Sequence, residues 1–317
     1  MRLAGAVLLA ACALALVATG APLLVYSITL AVFGLPHVLV ELRYVDERFR
    51  LRISRPLLIL FGSLLAGIVS LRVMSFTNAA SWPFAELELL LVIALVAAAG
   101  LAVRGGSIAR ALSMLTAMTF LAGALLAPLA TLVLLAVLHN LTPIGFLAEA
   151  LRGPERRRAL LLCGVAFGVV PLVLLSGAAE ALLASFVGIH LDASPFAMGG
   201  LHDHLGAFVP ATWQSRSFGI RLFTVAAYLQ CLHYAVVLYV LPRLSGADES
   251  ESAWPAWSTF RLLVAALAGV FLIGFAVSFG EARAVYGFFA AVHAWVELPI
   301  LLIALGGLGA AAHERKA

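Results

Sequence analysis

A single lysine, Lys316, stands next to the last residue of the chain. No lysine lies inside an apolar run, so no buried amine is present to form a Schiff base with a retinal-like aldehyde or another carbonyl, and a rhodopsin-type pigment is excluded. Cysteine is nearly as scarce. Cys12, Cys163 and Cys231 are far apart in apolar surroundings without a CxxC spacing, which excludes a cysteine zinc site or redox pair and leaves them as small core residues. Charge is low as well: 11% of residues are Asp, Glu, Lys or Arg, against about 25% in a soluble domain. That excludes a soluble enzyme and a nucleic-acid binder, and the net charge of +4 reflects arginines in loops.

What the chain has instead is apolar surface. At 63% hydrophobic over 317 residues it holds about 200 apolar side chains, and a bilayer-spanning helix uses about 20. The expectation is an all-α polytopic membrane bundle of about ten transmembrane helices forming one domain over 1–317. Hydropathy places spans near 3–20, 22–41, 56–74, 84–103, 111–125, 129–148, 159–177, 218–242, 259–279 and 284–305. The fifth is the least distinct, because Pro128 requires a tight turn beside it. The longest stretch outside the spans is 178–217.

Arginine sets the expected orientation, since short cytoplasmic loops collect basic residues. Arg43, Arg48, Arg50, Arg52 and Arg55 follow the second span, Arg104 and Arg110 the fourth, Arg152, Arg156, Arg157 and Arg158 the sixth, and Arg243 the eighth, while 75–83 has neither Arg nor Lys. Both termini are then cytoplasmic, in agreement with Arg315 and Lys316, and 178–217 is external, in a multi-pass protein of a bacterial-type cytoplasmic (inner) membrane. Trp82 and Trp213 fall at outer ends and Trp254 and Trp257 at an inner end, where amphipathic rings favour the headgroup layer. The first span has an alternative reading as a cleaved signal peptide, which leaves the rest of the topology unchanged.

Ionisable groups inside a membrane are costly and mark function. His37, His139, His233 and His293 lie in the second, sixth, eighth and tenth spans, helices that all run in one direction. Each is about 9 to 15 residues from the outer end, so the four can share one layer. Neutral imidazoles suit iron, copper or zinc; the alternative is that each ring only bonds a neighbouring helix. Glu41 and Glu297 follow His37 and His293 by four residues, on the same helical face and about 6 Å further in. They are candidates for ligands, for acceptors of an imidazole N–H, or for a proton route, while Glu41 has the alternative of pairing with Arg43 or Arg48. Gln230, Tyr234, Asn140 and Trp295 stand at the same depth, and Glu149 and Arg152 read as interfacial. His202 and His204, in Gly199-Gly200-Leu201-His202-Asp203-His204, lie on a water-facing loop and read as solvated, with a lid over the site or a role in metal capture as the alternatives. His190 and His313 receive no role.

Gly34-Leu35-Pro36-His37, with Glu41 after it, resembles the Brp/Blh family of membrane beta-carotene 15,15'-dioxygenases, which has a Gly-x-Pro-His stretch early in the chain and an acid four residues on. The resemblance implies a multi-helix membrane protein whose histidines hold one non-haem iron that adds oxygen across the central double bond of a carotenoid. By it, His37 is an iron ligand and the other membrane histidines complete the set. Val38 stands where the family usually has glycine, Glu41 where it has aspartate, and no His-x-x-x-His pair occurs. His139, His233 and His293 therefore rest on the span argument. The reading that follows is a non-haem iron oxygenase acting with dioxygen on a lipophilic substrate drawn from membrane lipid, with Glu41, Glu297 and Tyr234 assisting. The alternatives are a bis-histidine haem b electron carrier and a His/Glu proton-coupled or metal transporter.

Overall fold

The structure, a computed structural model, describes residues 2–77, 83–102, 107–186, 188–245 and 254–314, and among them it is helical with no strand. Trp82, Arg104, Arg315 and Lys316 lie outside the described residues. The helices are α1 (Arg2–Gly20), α2 (Pro22–Arg52), α3 (Arg55–Thr77), α4 (Phe84–Ala102), α5 (Ser107–Leu126), α6 (Pro128–Ala150), α7 (Gly153–Ser176), the short α8 (Ala178–Ala184) and α9 (Leu201–His204), α10 (Ser217–Tyr239), α11 (Trp257–Val277) and α12 (Phe279–Glu314). Eight of these are long and apolar enough to cross a membrane, and α1 and α5 add shorter apolar stretches, Ala4–Gly20 and Ala111–Leu126. This is an all-α polytopic membrane bundle.

Prolines punctuate it. Ala21 and Ala127 each form a one-residue corner, after which Pro22 and Pro128 open the next helix at a position where the missing N–H costs nothing. The α5–α6 corner brings Gly123 so close to the Thr131 side chain that a Cβ there would clash.

Burial divides the helices into two groups. The apolar windows of α2 and α10 are 72% and 67% buried, whereas that of α3 is only 11%. Exposed Leu, Ile and Met on α3, α5 and α11 form the lipid-facing surface that the composition requires. At the centre, α2 packs on α10 and α12, and α6 packs on the same two, so α2, α10, α6 and α12 close a four-helix ring.

At the arginine-rich end the charges satisfy one another. Arg43 is fully buried; its Nε donates to Glu47 Oε1 (2.6 Å), its Nη1 to the Pro255 carbonyl (2.7 Å), and its guanidinium lies 3.9 Å from the Trp257 ring centroid. Arg48 and Arg52 both donate to Glu149, at 2.6 and 2.9 Å. Glu149 is therefore the buried hub of an ion-pair group at this end of the bundle. These pairings also leave Glu41 without an arginine.

The opposite end is covered by 188–213, which folds onto the bundle by burying Leu201, Leu205, Phe208 and Val209. His204 corrects the solvated reading of its loop: it is buried, with its Nε2–H donating to the Met198 carbonyl at 2.6 Å. His202 is exposed.

Candidate metal centre

Each of the four ring helices delivers one histidine, and at two of them a proline shapes the local backbone. In α2, Pro36 has no N–H for the Val32 carbonyl, and the turn just before it, Thr29–Phe33, is a π-helix. Within this distorted stretch the Phe33 carbonyl accepts a hydrogen bond from His37 Nδ1–H at 3.1 Å. In α6, Pro143 cannot donate to the carbonyl of His139. The helix tightens to a 3₁₀ turn over His139–Leu141, and that carbonyl accepts instead from the Thr142 backbone N–H and from the Thr142 hydroxyl, the latter at 2.8 Å. His233 and His293 sit in regular helix.

The four rings converge. His37 Nε2 and His293 Nε2 are 3.1 Å apart, and His293 Nε2 and His139 Nε2 are also 3.1 Å apart. The His139 ring centroid lies 4.7 Å from those of both His233 and His293. Ligand atoms of His37, His139, His233 and His293 all fall within 4.8 Å of one another, as do those of a second, overlapping set: Glu41, His233, His293 and Glu297. His37, His233, His293, Glu41 and Glu297 are at most 2% exposed.

The acids reach across helices. Glu297 Oε2 lies 2.8 Å from His139 Nδ1, and Glu41 Oε2 lies 3.4 Å from His233 Nε2. Both contacts are off the hydrogen-bonding axis, so both carboxylates and the His139 and His233 nitrogens facing them are buried without an aligned partner. Such groups cost several kcal/mol each when left uncompensated.

A cation resolves this arrangement on two counts. The His37 Nδ1–H bond to Phe33 leaves its Nε2 as a lone pair aimed at His293 Nε2, and His139 Nε2 is aimed at the same atom. That atom carries one proton at most, which cannot lie along both 3.1 Å contacts. Nitrogen–metal bonds of about 2.1 Å, at angles between octahedral and tetrahedral, separate neighbouring ligand nitrogens by roughly 3.0–3.4 Å, a range that includes the observed spacing. Two carboxylates would also balance a divalent charge. The donor set therefore fits a first-row metal ion.

Beside the cluster lies a cavity of about 360 Å³, lined by His37, His139, His293, Leu30, Leu135 and Tyr234, among others, and extending to Tyr26, Phe208 and Arg283. Tyr234 stacks on His37 with centroids 3.6 Å apart, and its hydroxyl pairs with that of Tyr286 at 2.9 Å. Gln230 and Asn140 also line the cavity, but the Asn140 amide donates to its own helix at the Ala136 and Val137 carbonyls. Trp295 donates to Glu88 at 2.8 Å, and Arg72 holds Glu88 through Nε and Nη2.

Sequence reasoning missed Tyr286, Arg72, Glu88 and Arg283. Tyr286 was accessible to it, lying seven residues before His293 and so on the same helical face. Arg72 and Glu88 had a signal too, as opposite charges near the facing ends of consecutive apolar spans. Comparison with family models, curated proteins and solved structures returns no match for this chain. The fold and its cluster define a polytopic membrane protein with a buried histidine–glutamate centre.

Proposed function

We propose that this protein is a membrane-embedded non-haem iron oxygenase acting on a lipophilic substrate. The observation that carries the reading is the convergence of imidazole Nε2 atoms at 3.1 Å on the wall of a largely apolar cavity. Imidazoles accept iron, copper or zinc alike; iron is the choice made by the resemblance at Gly34–Glu41, and a carotenoid is the substrate it suggests. The nitrogen spacing favours an ion held directly over haem b, because axial histidines lie on opposite faces of a porphyrin and here no plane separates the rings.

The surroundings favour chemistry over passage. A second depression of about 520 Å³ shares Arg72, Leu132 and Gly287 with the cavity and includes the exposed Phe76 and Leu129, a route from the lipid face. On the far side of the acids, the fully buried Tyr44, Phe146 and Phe49 pack edge to face or tilted, with centroids 5.5 to 6.3 Å apart, and close the bundle. A substrate entering from lipid thus meets a dead end at the imidazoles. Iron, if bound there, would supply the one-electron chemistry that couples dioxygen to a carbon–carbon double bond. His37, His139, His233 and His293 would hold it, with Glu297 beside His139, and the apolar walls of the cavity would keep bulk water away. By the positive-inside rule the arginine-rich end faces the cytoplasm of a bacterial-type inner membrane.

Metal analysis of the purified protein with an absorption spectrum tests this. Iron without a Soret band is expected, and His37→Ala, His139→Ala, His233→Ala or His293→Ala should each lower bound metal sharply, while His190→Ala and His202→Ala leave it intact. Full metal in all four ring variants would overturn the shared site, and a Soret band would turn the reading to electron transfer.

A further inference from the structure

Arg72 and Arg283 are the charged residues that line the cavity among the described residues, and they differ in one respect. Arg72 is neutralised by Glu88, and its Nη1 is used by the Gly287 carbonyl at 3.2 Å. Arg283 touches no carboxylate among the described residues. Its Nη1 reaches the Tyr26 hydroxyl at 3.4 Å and His204 Nδ1 at 3.3 Å, both uncharged acceptors at long range. The His204 Nε2–H bond to Met198 leaves Nδ1 as an acceptor, so the folded 188–213 segment holds the guanidinium in place without compensating its charge. Tyr26 is held in turn by Phe208, Phe223 and Phe279 at centroid distances of 5.3 to 6.1 Å.

The position along the helices matters as much as the charge. Arg283 precedes His293 by ten residues, about 15 Å, and Tyr26 precedes His37 by eleven. One cavity therefore has a fixed, unbalanced cation at one end, imidazoles at the other, and apolar walls between.

We infer that the cavity binds a single-chain amphiphile with one anionic head, a carboxylate or a phosphate, seated on the Arg283 guanidinium with its tail running toward the imidazoles. This deepens the oxygenase reading by naming the substrate class, and it rests on that reading only for what happens to the tail. A volume of about 360 Å³ lies within the roughly 300–1,000 Å³ of small-molecule pockets. The planar guanidinium is suited to gripping a carboxylate or phosphate through two parallel N–H donors. A wholly apolar hydrocarbon would leave that charge facing it uncompensated.

Native mass spectrometry of the full chain, metal-loaded and metal-stripped, tests the inference with palmitate, hexadecyl phosphate and hexadecanol as probes. One palmitate or one hexadecyl phosphate should bind, whichever is tighter identifying the head, and hexadecanol should bind at least about tenfold more weakly. Arg283→Gln should erase the preference for the anion, and Arg283→Lys, which keeps the charge, should retain part of it. Equal binding of hexadecanol and palmitate by the unmodified protein would overturn the inference whether or not the Gln variant folds, as would a folded Arg283→Gln protein that binds palmitate undiminished. Anion-selective binding by a protein that takes up no metal would keep this inference and sink the oxygenase. Metal uptake without anion selectivity would do the reverse.

Discussion

Replacing Glu297 by glutamine separates a carboxylate that turns a histidine from one that binds the metal itself. Glu297 Oε2 is 2.8 Å from His139 Nδ1 and is almost fully buried. The amide keeps the shape of the side chain and removes its charge, so the negative charge beside Nδ1 that makes Nε2 a stronger donor to the metal is lost. Removing such an outer partner typically lowers metal affinity about 10- to 100-fold, which is about 1.4 to 2.8 kcal/mol. The assay is metal content after equilibration against buffers of graded free iron, read beside His293→Ala. The expected result is a curve shifted by one to two decades that still reaches the unmodified protein's stoichiometry, together with lower activity. No shift would refute the orienting role. Loss of saturable metal, as in His293→Ala, would refute it in the other direction and make the second set, Glu41, His233, His293 and Glu297, the site that holds the ion.

Pro143→Ala offers the His139 carbonyl an α-helical N–H in place of its 3₁₀ bond from Thr142 and allows α6 to continue as a regular helix, so the variant should be at least as thermostable while binding metal more weakly, as a melting curve and a metal titration on the same sample would show. Arg72→Leu leaves the buried Glu88 with only the Trp295 N–H, and unfolding in detergent should register a loss of about 3–5 kcal/mol. Cysteines introduced at Glu155 and at His202 should label from opposite sides of the membrane, with the Glu155 position accessible only from the cytoplasm; external labelling at Glu155 would reverse the assigned orientation.

Much of the centre was legible because charge in an apolar run is rare. The four histidines stand out for that reason, and a fixed layer depth on co-directional helices is enough to bring them together. The partners of the acids were not legible. Spacing of four residues assigns Glu41 to His37 and Glu297 to His293, and it does place each pair on one face, but the closest contacts are Glu41 with His233 and Glu297 with His139. Helical periodicity says which face points inward; the neighbour met there depends on how helices pack, which the periodicity of one chain segment does not contain. His204 was misread for a similar reason, since a polar run with glycines looks solvated until Leu201 and Leu205 fold it down onto the bundle. The helix count is less sharp at α1 and α5, whose described apolar stretches, Ala4–Gly20 and Ala111–Leu126, are shorter than the others.

The π turn at Thr29–Phe33 carries a consequence for how α2 tolerates change. A π turn holds one residue more than the α turn it replaces, so deleting any one of those five residues would return the stretch to about α spacing. The wider turn already absorbs that residue, so the deletion would leave Tyr26 and His37 near their present alignment, whereas removing a residue from the regular helix beside the turn would swing Tyr26 by about 100° relative to His37. The proposed anion seat and metal seat are thus joined by a helix that can lose a residue within one turn and not in the turns beside it. A deletion in the regular helix on either side of the π turn would alter their mutual alignment while leaving every side chain of both proposed seats in the sequence.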